Sequence, residues 1–173
     1  MAENFMELAK ARYSVKHFTD KPIEEEKLAQ ILEAGRIAPT AANKQPQRVY
    51  VVQSDEGIAK LNELTPCVYG AKTVLMIAYD KDEDWKNPVE EGIHSGQQDV
   101  SIVATHIMLE AWELGISSCW VNMFPNTKTA EAFGLPDNYE LVLLMPIGYA
   151  ADGVKPLAKH TDRKALEETV SRL

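Results

Sequence analysis

The sequence predicts a mixed α/β or α+β layer fold, on three observations. Thr73 to Tyr79 (TVLMIAY) is a near-continuous apolar run, the pattern of a strand buried on both faces in the middle of a sheet. From Gln97 to Leu114 the apolar residues Val100, Val103, Ala104, Ile107, Met108, Ala111 and Leu114 recur at helical spacing, and Gly115 is placed to stop the helix. Around these two segments helical and strand patterns interleave, with no internal repeat, low-complexity tract or Ser/Gly linker, which sets helices against a sheet in a single domain over residues 1–173.

In chain order, Phe5 to Ala11 reads as a first helix and Arg12 to Phe18 as the turn after it. Glu24-Glu25-Glu26 opens a second helix, where the positive end of the helix dipole favours acidic side chains; Leu28, Ile31 and Leu32 form its buried stripe and Pro39 ends it. Arg48 to Gln53 (RVYVVQ) is rich in β-branched and aromatic residues and reads as a strand, and Ser54 caps a helix through Leu64. The acidic stretch Asp80 to Trp85 reads as a solvated connection. Short strands at Ser117 to Val121 and Leu141 to Pro146 are separated by a helix through Thr129 to Phe133 that ends at Gly134-Leu135-Pro136. After Gly148-Tyr149 the chain turns polar, with Gly153 and Pro156, and then carries a short amphipathic segment from Lys164 to Val170.

At 173 residues the chain suits one domain with a substantial core, and 45% hydrophobic with 25% charged residues argues against extensive disorder. A net charge of −8 disfavours a nucleic-acid surface, so an anionic ligand must be drawn in by a local basic cluster against the overall field. No apolar run reaches membrane-spanning length, and Met1-Ala2-Glu3-Asn4 lacks the basic and apolar regions of a signal peptide; a cytoplasmic location without a membrane partner is expected. Cys67 and Cys119 form no Cys-x-x-Cys pair and read as packed thiols, and His17, His94, His106 and His160 show no metal-ligand spacing, so no metal site is expected. Glycine patterns for a Rossmann site or a P-loop are missing, as is a Gly-x-Ser-x-Gly elbow.

Two motifs carry chemistry. Arg12-Tyr13-Ser14-Val15-Lys16-His17-Phe18 gathers a planar guanidinium fork, a hydroxyl and a mobile ammonium within five residues, the donor types that a phosphate dianion needs; the cluster alone also fits a solvated turn. One helix later, Ala38-Pro39-Thr40-Ala41-Ala42-Asn43-Lys44-Gln45-Pro46 is a Pro-bounded polar loop whose amides can donate and accept. The pair resembles the opening of the FMN-dependent nitroreductase family, Arg-Arg-Ser-x-Arg-x-Phe, a helix, then Ala-Pro-Ser-x-x-Asn-x-Gln-Pro. Tyr13 stands for the second arginine, Lys16 for an arginine, Thr40 for serine and Gln47 for a common tryptophan. These departures bear on substrate preference more than on the cofactor.

The resemblance implies a mixed β-sheet flanked by helices, an intertwined homodimer, and a C-terminal tail, residues 150–173, extending onto the partner subunit. It implies FMN as cofactor and NADH or NADPH as transient donor, with hydride passing to flavin N5 and then to a nitroaromatic, quinone or related small-molecule electron acceptor. The flavin carries the chemistry, so no catalytic side chain is assigned. By position, Arg12 and Ser14, with the Tyr13 backbone, match the phosphate clasp. Lys16 matches a cation at the ribityl chain and pyrimidine edge, where it would stabilise charge on reduced flavin. Pro39, Thr40, Ala41 and Asn43, with Gln45, match the loop that approaches the flavin from the other subunit. In the segment Gly115 to Met123 the N5 donor falls at Asn122 or Met123, with Trp120 near the ring or in the core. Arg163 matches the arginine that completes the phosphate site, and Lys159 stands near it for the second cation. The same fold also serves as a flavin-binding store or redox-responsive module, a reductive dehalogenase or a flavin-degrading enzyme; residues 66–72 and 82–92 offer lids.

Overall fold

Four strands, β1 (Gln47–Val52), β2 (Thr73–Asp80), β3 (Ser117–Ser118) and β4 (Tyr139–Gly148), form a sheet of order β1-β2-β4-β3. The computed structural model describes residues 4–173, so Met1-Ala2-Glu3 of the N-terminal reading lies outside the described residues. Every residue of β2 is buried, as its apolar run requires. Alternation divides its side chains between two cores. Leu75, Ile77 and Tyr79 pack with Val100, Val103 and Ile107 of α4 (Gly96–Glu113) and with Leu28 and Ile31 of α2 (Glu25–Arg36). Val74, Met76 and Ala78 face the other way, onto Leu61 of α3 (Asp55–Leu64), Ala130 of α5 (Asn126–Ala132), Cys67 and Cys119. Burying a Val, Leu, Ile or Met side chain stabilises by about 1.5–3 kcal/mol, so the two faces of this strand dominate the fold's energetics.

The elements follow the sequence closely, and the departures have physical causes. The first helix, α1, spans Phe5–Ala11 as read, with the Asn4 side chain accepting from Glu7 N–H at its start. Ser54 caps α3 as expected, by accepting from Gly57 N–H at 3.1 Å. Helix α2 stops at Arg36, three residues before Pro39, because the residue ahead of a proline is driven out of helical geometry. Helix α5 begins at Asn126, three residues before the expected start, because the Asn126 amide donates to the carbonyls of Leu141 and Val142 and docks the first turn on β4.

Strand β4 extends through Pro146 to Gly148. Pro146 is tolerated inside the sheet because its carbonyl, and therefore its missing N–H, faces Cys119, beyond the end of the two-residue β3. The expected strand over Ser117 to Val121 is accordingly reduced to β3, although Val121 and Leu144 still exchange backbone hydrogen bonds.

Two expectations are corrected. The sheet is not mixed: every strand pairs antiparallel, and parallel pairing is confined to the isolated bridge between Ser14 and Ser118. The acidic stretch is not simply solvated, since Asp80 and Asp84 are buried. The Asp80 carboxylate accepts from Asn138 Nδ2 (2.8 Å), Asp82 N–H (2.9 Å) and Arg48 Nη2 (3.3 Å), donors that only the folded sheet assembles.

At the other end of the sheet, the Tyr149 hydroxyl donates to Glu24 and accepts from Lys27 Nζ, tying the entry to α2 onto the end of β4. Residues 161–173 are exposed throughout, including Leu166, Val170 and Leu173, and contain only the short α6 (Leu166–Thr169). No helix of the described residues is long and apolar enough to cross a membrane.

Gly96 marks the closest approach of α4 to the sheet: a Cβ there would lie 2.1 Å from Tyr79 Cε2, and the Tyr79 ring is held by its hydroxyl on Glu140 Oε2. Gly96→Ala is expected to destabilise the fold by about 1–3 kcal/mol through overpacking, read as a lower denaturation midpoint with unchanged helical circular dichroism below the transition.

Candidate functional site

The chain leaves α1 at Arg12, whose φ of −64° and ψ of 132° turn it into an extended run. Val15 N–H donates to Ser118 O (3.0 Å) and Phe18 N–H to Tyr69 O (3.2 Å), and both side chains are buried. Fixing Val15 inward leaves its neighbours Ser14 and Lys16 facing outward, since adjacent side chains of an extended chain point to opposite sides. Beside this run lies a cleft of about 250 Å³ in which Arg12, Tyr13 and Ser14 meet Lys159, His160 and Arg163 from the far end of the chain.

Tyr13 makes that meeting possible. Its ring packs edge-on against Trp112 (centroids 5.1 Å apart) and His160 (6.1 Å), and its hydroxyl donates to Val154 O. His160 Nε2 adds a hydrogen bond to Lys10 O at 3.0 Å. These contacts hold residues 154–163 against α1, so Lys159 and Arg163 join Arg12 within one protomer. Tyr13 thus has a packing role that its place in the motif did not signal. Nothing in the sequence around His160 signals that its ring packs edge-on against Tyr13.

Among the described residues, the cleft is lined by cations and no carboxylate. Arg12, Lys16, Lys159 and Arg163 form no ion pair with a carboxylate among the described residues. The Arg12 guanidinium is held below its ordinary pKa by burial and then by the nearby Arg163. Cations so placed are stabilised by an anion with several acceptor oxygens. Lys16 lies outside the cleft, its Nζ 5.9 Å from the centre of the Tyr69 ring. Beneath these groups sits Cys119, whose thiol is pushed up by burial despite the opposing pull of Lys16, the Ser14 hydroxyl and Arg12. It is a buried thiol, as expected, but one underlying the basic cluster.

Along the neighbouring edge the chain runs from β3 to Met123. Trp120 packs against the α4-side core, and its Nε1 donates to Asn122 Oδ1 at 3.1 Å. Met123 O accepts from the Thr65 hydroxyl at 2.6 Å, while its side chain is exposed. The backbone N–H groups of Asn122 and Met123 have no acceptor among the described residues.

The polar loop after α2 stands apart: Pro39, Thr40, Ala41, Asn43 and Gln45 do not line the basic cleft of their own chain. Ala42, Asn43 and Gln45 have φ values of 50°, 54° and 52°. This left-handed geometry costs about 1–2 kcal/mol at an ordinary residue and less at asparagine. The loop is internally bonded: Gln45 N–H donates to Thr40 Oγ1 (3.0 Å) and Gln45 Nε2 to Asn43 O (3.2 Å), so the Gln45 amide is turned onto its own backbone. Ala41 N–H donates to Oδ1 of Asp99 at 2.8 Å. Sequence reading passed over Asp99, although a carboxylate four residues before Val103 on the stripe of a buried helix was a visible signal.

The sequence and the fold are similar to those of known proteins. The pattern of the nitroreductase family matches residues 9–68 and 63–149. A nitroreductase family protein from Clostridium difficile 630 superposes with a TM-score of 0.90 at 41% identity over 97% of both chains. An Exiguobacterium sibiricum protein solved in complex with FMN gives a TM-score of 0.82 at 26% identity, covering 100% of this chain and 99% of its own. An NADPH-dependent oxidoreductase of Staphylococcus aureus (strain USA300) is 26% identical over 175 residues, 92% of this chain and 70% of the relative. With its length matched almost throughout, this chain belongs to the nitroreductase family.

Proposed function

We propose that the protein is an FMN-dependent oxidoreductase that takes electrons from NADH or NADPH and delivers them to a small acceptor such as a nitroaromatic or a quinone, as a homodimer with two shared sites. The observation that carries the reading is the cluster of Arg12, Arg163 and Lys159 beside the Ser14 hydroxyl with no carboxylate to neutralise it. That donor set fits a terminal phosphate, which supplies three acceptor oxygens and close to two negative charges. The FMN complex of the Exiguobacterium relative and the NADPH dependence named for the Staphylococcus relative support the same cofactor and donor.

Each residue then has a task of its own. Arg12 offers a planar fork to the phosphate, Ser14 a hydroxyl, and Lys159 and Arg163 cap it from the chain's far end. Lys16, facing outward two residues on, supplies positive charge at the ribityl chain and pyrimidine edge. The N–H of Asn122 or Met123 would serve as the donor to flavin N5, and Trp120 Nε1 holds the Asn122 side chain. FMN, when bound, accepts hydride at N5 and passes it on, so no side-chain nucleophile is required. Thr40, Ala41 and Asn43, remote from the cleft of their own chain, serve the flavin of a second copy. The exposed Leu166, Val170 and Leu173 of the tail pack on that copy.

A visible absorption spectrum of the purified protein, repeated anaerobically with NADH and with NADPH, tests the reading. A bound flavin that bleaches with either nucleotide is expected. Flavin that stays oxidised points to a non-turnover module, and failure to take up added FMN rules the reading out. Arg12→Ala is expected to weaken FMN binding roughly 10- to 150-fold, the effect of losing about 1.5–3 kcal/mol of charged hydrogen bonding, with helical circular dichroism unchanged. Dilution to the monomer is expected to release flavin; a monomer that retains it at the dimer's affinity excludes the shared site.

A further inference from the structure

We propose that Asp99 is the positioning residue of the cofactor loop, its buried carboxylate fixing the left-handed run at Ala42, Asn43 and Gln45 so that Asn43 is presented to the flavin of a second copy. The inference rests on the reading above that residues 40–43 serve that flavin. Its basis is the loop's hydrogen bonding. Within residues 40–45, Asn43 N–H donates to Thr40 O, Lys44 N–H to Ala41 O, Gln45 N–H to Thr40 Oγ1 and Gln45 Nε2 to Asn43 O, all inside the loop. The one hydrogen bond that ties these six residues to the rest of the chain, among the described residues, runs from Ala41 N–H to Asp99 Oδ1 at 2.8 Å. Internal bonds maintain a loop's shape but cannot set its orientation. Backbone in sparsely populated geometry persists only where its surroundings over-determine it.

Asp99 is suited to that task because it is itself locked. It is 2% exposed in the first turn of α4, where the helix dipole favours a carboxylate, and its second oxygen accepts from the Ser95 hydroxyl at 2.6 Å. Ser95 Oγ in turn accepts from Trp85 N–H at 3.1 Å. Its proton is therefore committed to Asp99, and both carboxylate oxygens are needed as acceptors. An asparagine at 99 keeps the shape and leaves one of these two donors facing an NH₂ group. The same lock joins the connection before α4 to the loop after α2, so two segments on opposite sides of the helix start share one anchor.

Two variants test the proposal from opposite ends. Asp99→Asn removes one acceptor. Ala41→Pro removes the donor and leaves Asp99 intact; Thr40, at φ −132° and ψ 158°, already has the conformation favoured before a proline, and Ala41 is outside the left-handed run. FMN and riboflavin are titrated in parallel by flavin fluorescence, with visible circular dichroism of the bound flavin. Each variant is expected to raise the FMN Kd at least tenfold and change the visible circular dichroism. The ratio of FMN to riboflavin affinity is expected to stay within twofold of the unmodified protein's, because the phosphate clasp is untouched. FMN binding within twofold of the unmodified protein and an unchanged spectrum in Ala41→Pro overturn the proposal, and this variant decides it even where Asp99→Asn does not fold. If the unmodified protein takes up no FMN, the functional reading falls and this inference with it; normal uptake with indifferent variants removes the inference alone.

Discussion

Because all eight residues of β2 are buried, neither face of the sheet can be left to solvent, and this requirement organises the rest of the molecule. Helices must cover both faces, and they do so with unequal materials. The face toward Leu75 and Ile77 receives α4 and α2, which approach so closely that Gly35 leaves only 2.8 Å between a would-be Cβ and Ile107. The opposite face receives α3, α5 and the extended run after α1, with Val15, Phe18, Cys67 and Cys119 in one cluster. That second cover carries Arg12, Ser14 and Lys16 into place, because burial of Val15 and Phe18 dictates which way their neighbours point.

The site forms where the sheet runs out. Strand β3 pairs over two residues, and past it the partner strand presents Pro146, which has no N–H to offer. Cys119 and Val121 still donate to the Pro146 and Leu144 carbonyls, while beyond Val121 the N–H groups of Asn122 and Met123 have no acceptor among the described residues. In a chain of net charge −8, the nearby cations are a local exception: Arg12 is partly buried with Arg163 close by, and among the described residues neither pairs with a carboxylate, an arrangement that favours an anion.

At the N-terminal end of α4 the opposite strategy is used. The loop over residues 40–45 holds three non-glycine residues in left-handed geometry and is oriented by a buried carboxylate with every acceptor engaged. One region is thus left electrostatically incomplete, and the other is fully bonded and strained. In the proposed shared site the first would supply affinity for an anion and the second a fixed polar rim.

The sequence by itself determined the element order, the buried β2, the extent of α1, the cap of α3 and the family, because hydrophobic period, capping chemistry and two short motifs are local properties. It also determined which residue types gather near Arg12 and Asn43. Tertiary structure alone decided that the sheet is antiparallel, since strand direction depends on pairing between segments far apart in sequence. It also decided that Asp80 and Asp84 are buried, because their surroundings come from elements remote in the chain. That Lys159, His160 and Arg163 return to Arg12 was legible only as a family resemblance; the physical cause, stacking of Tyr13 on Trp112 and His160, requires three rings separated by 99 and 48 residues in sequence to converge. The role of Asp99 was hidden for the same reason: a carboxylate on a buried helical stripe signals an unusual partner, but the partner is a backbone N–H that only the assembled fold supplies.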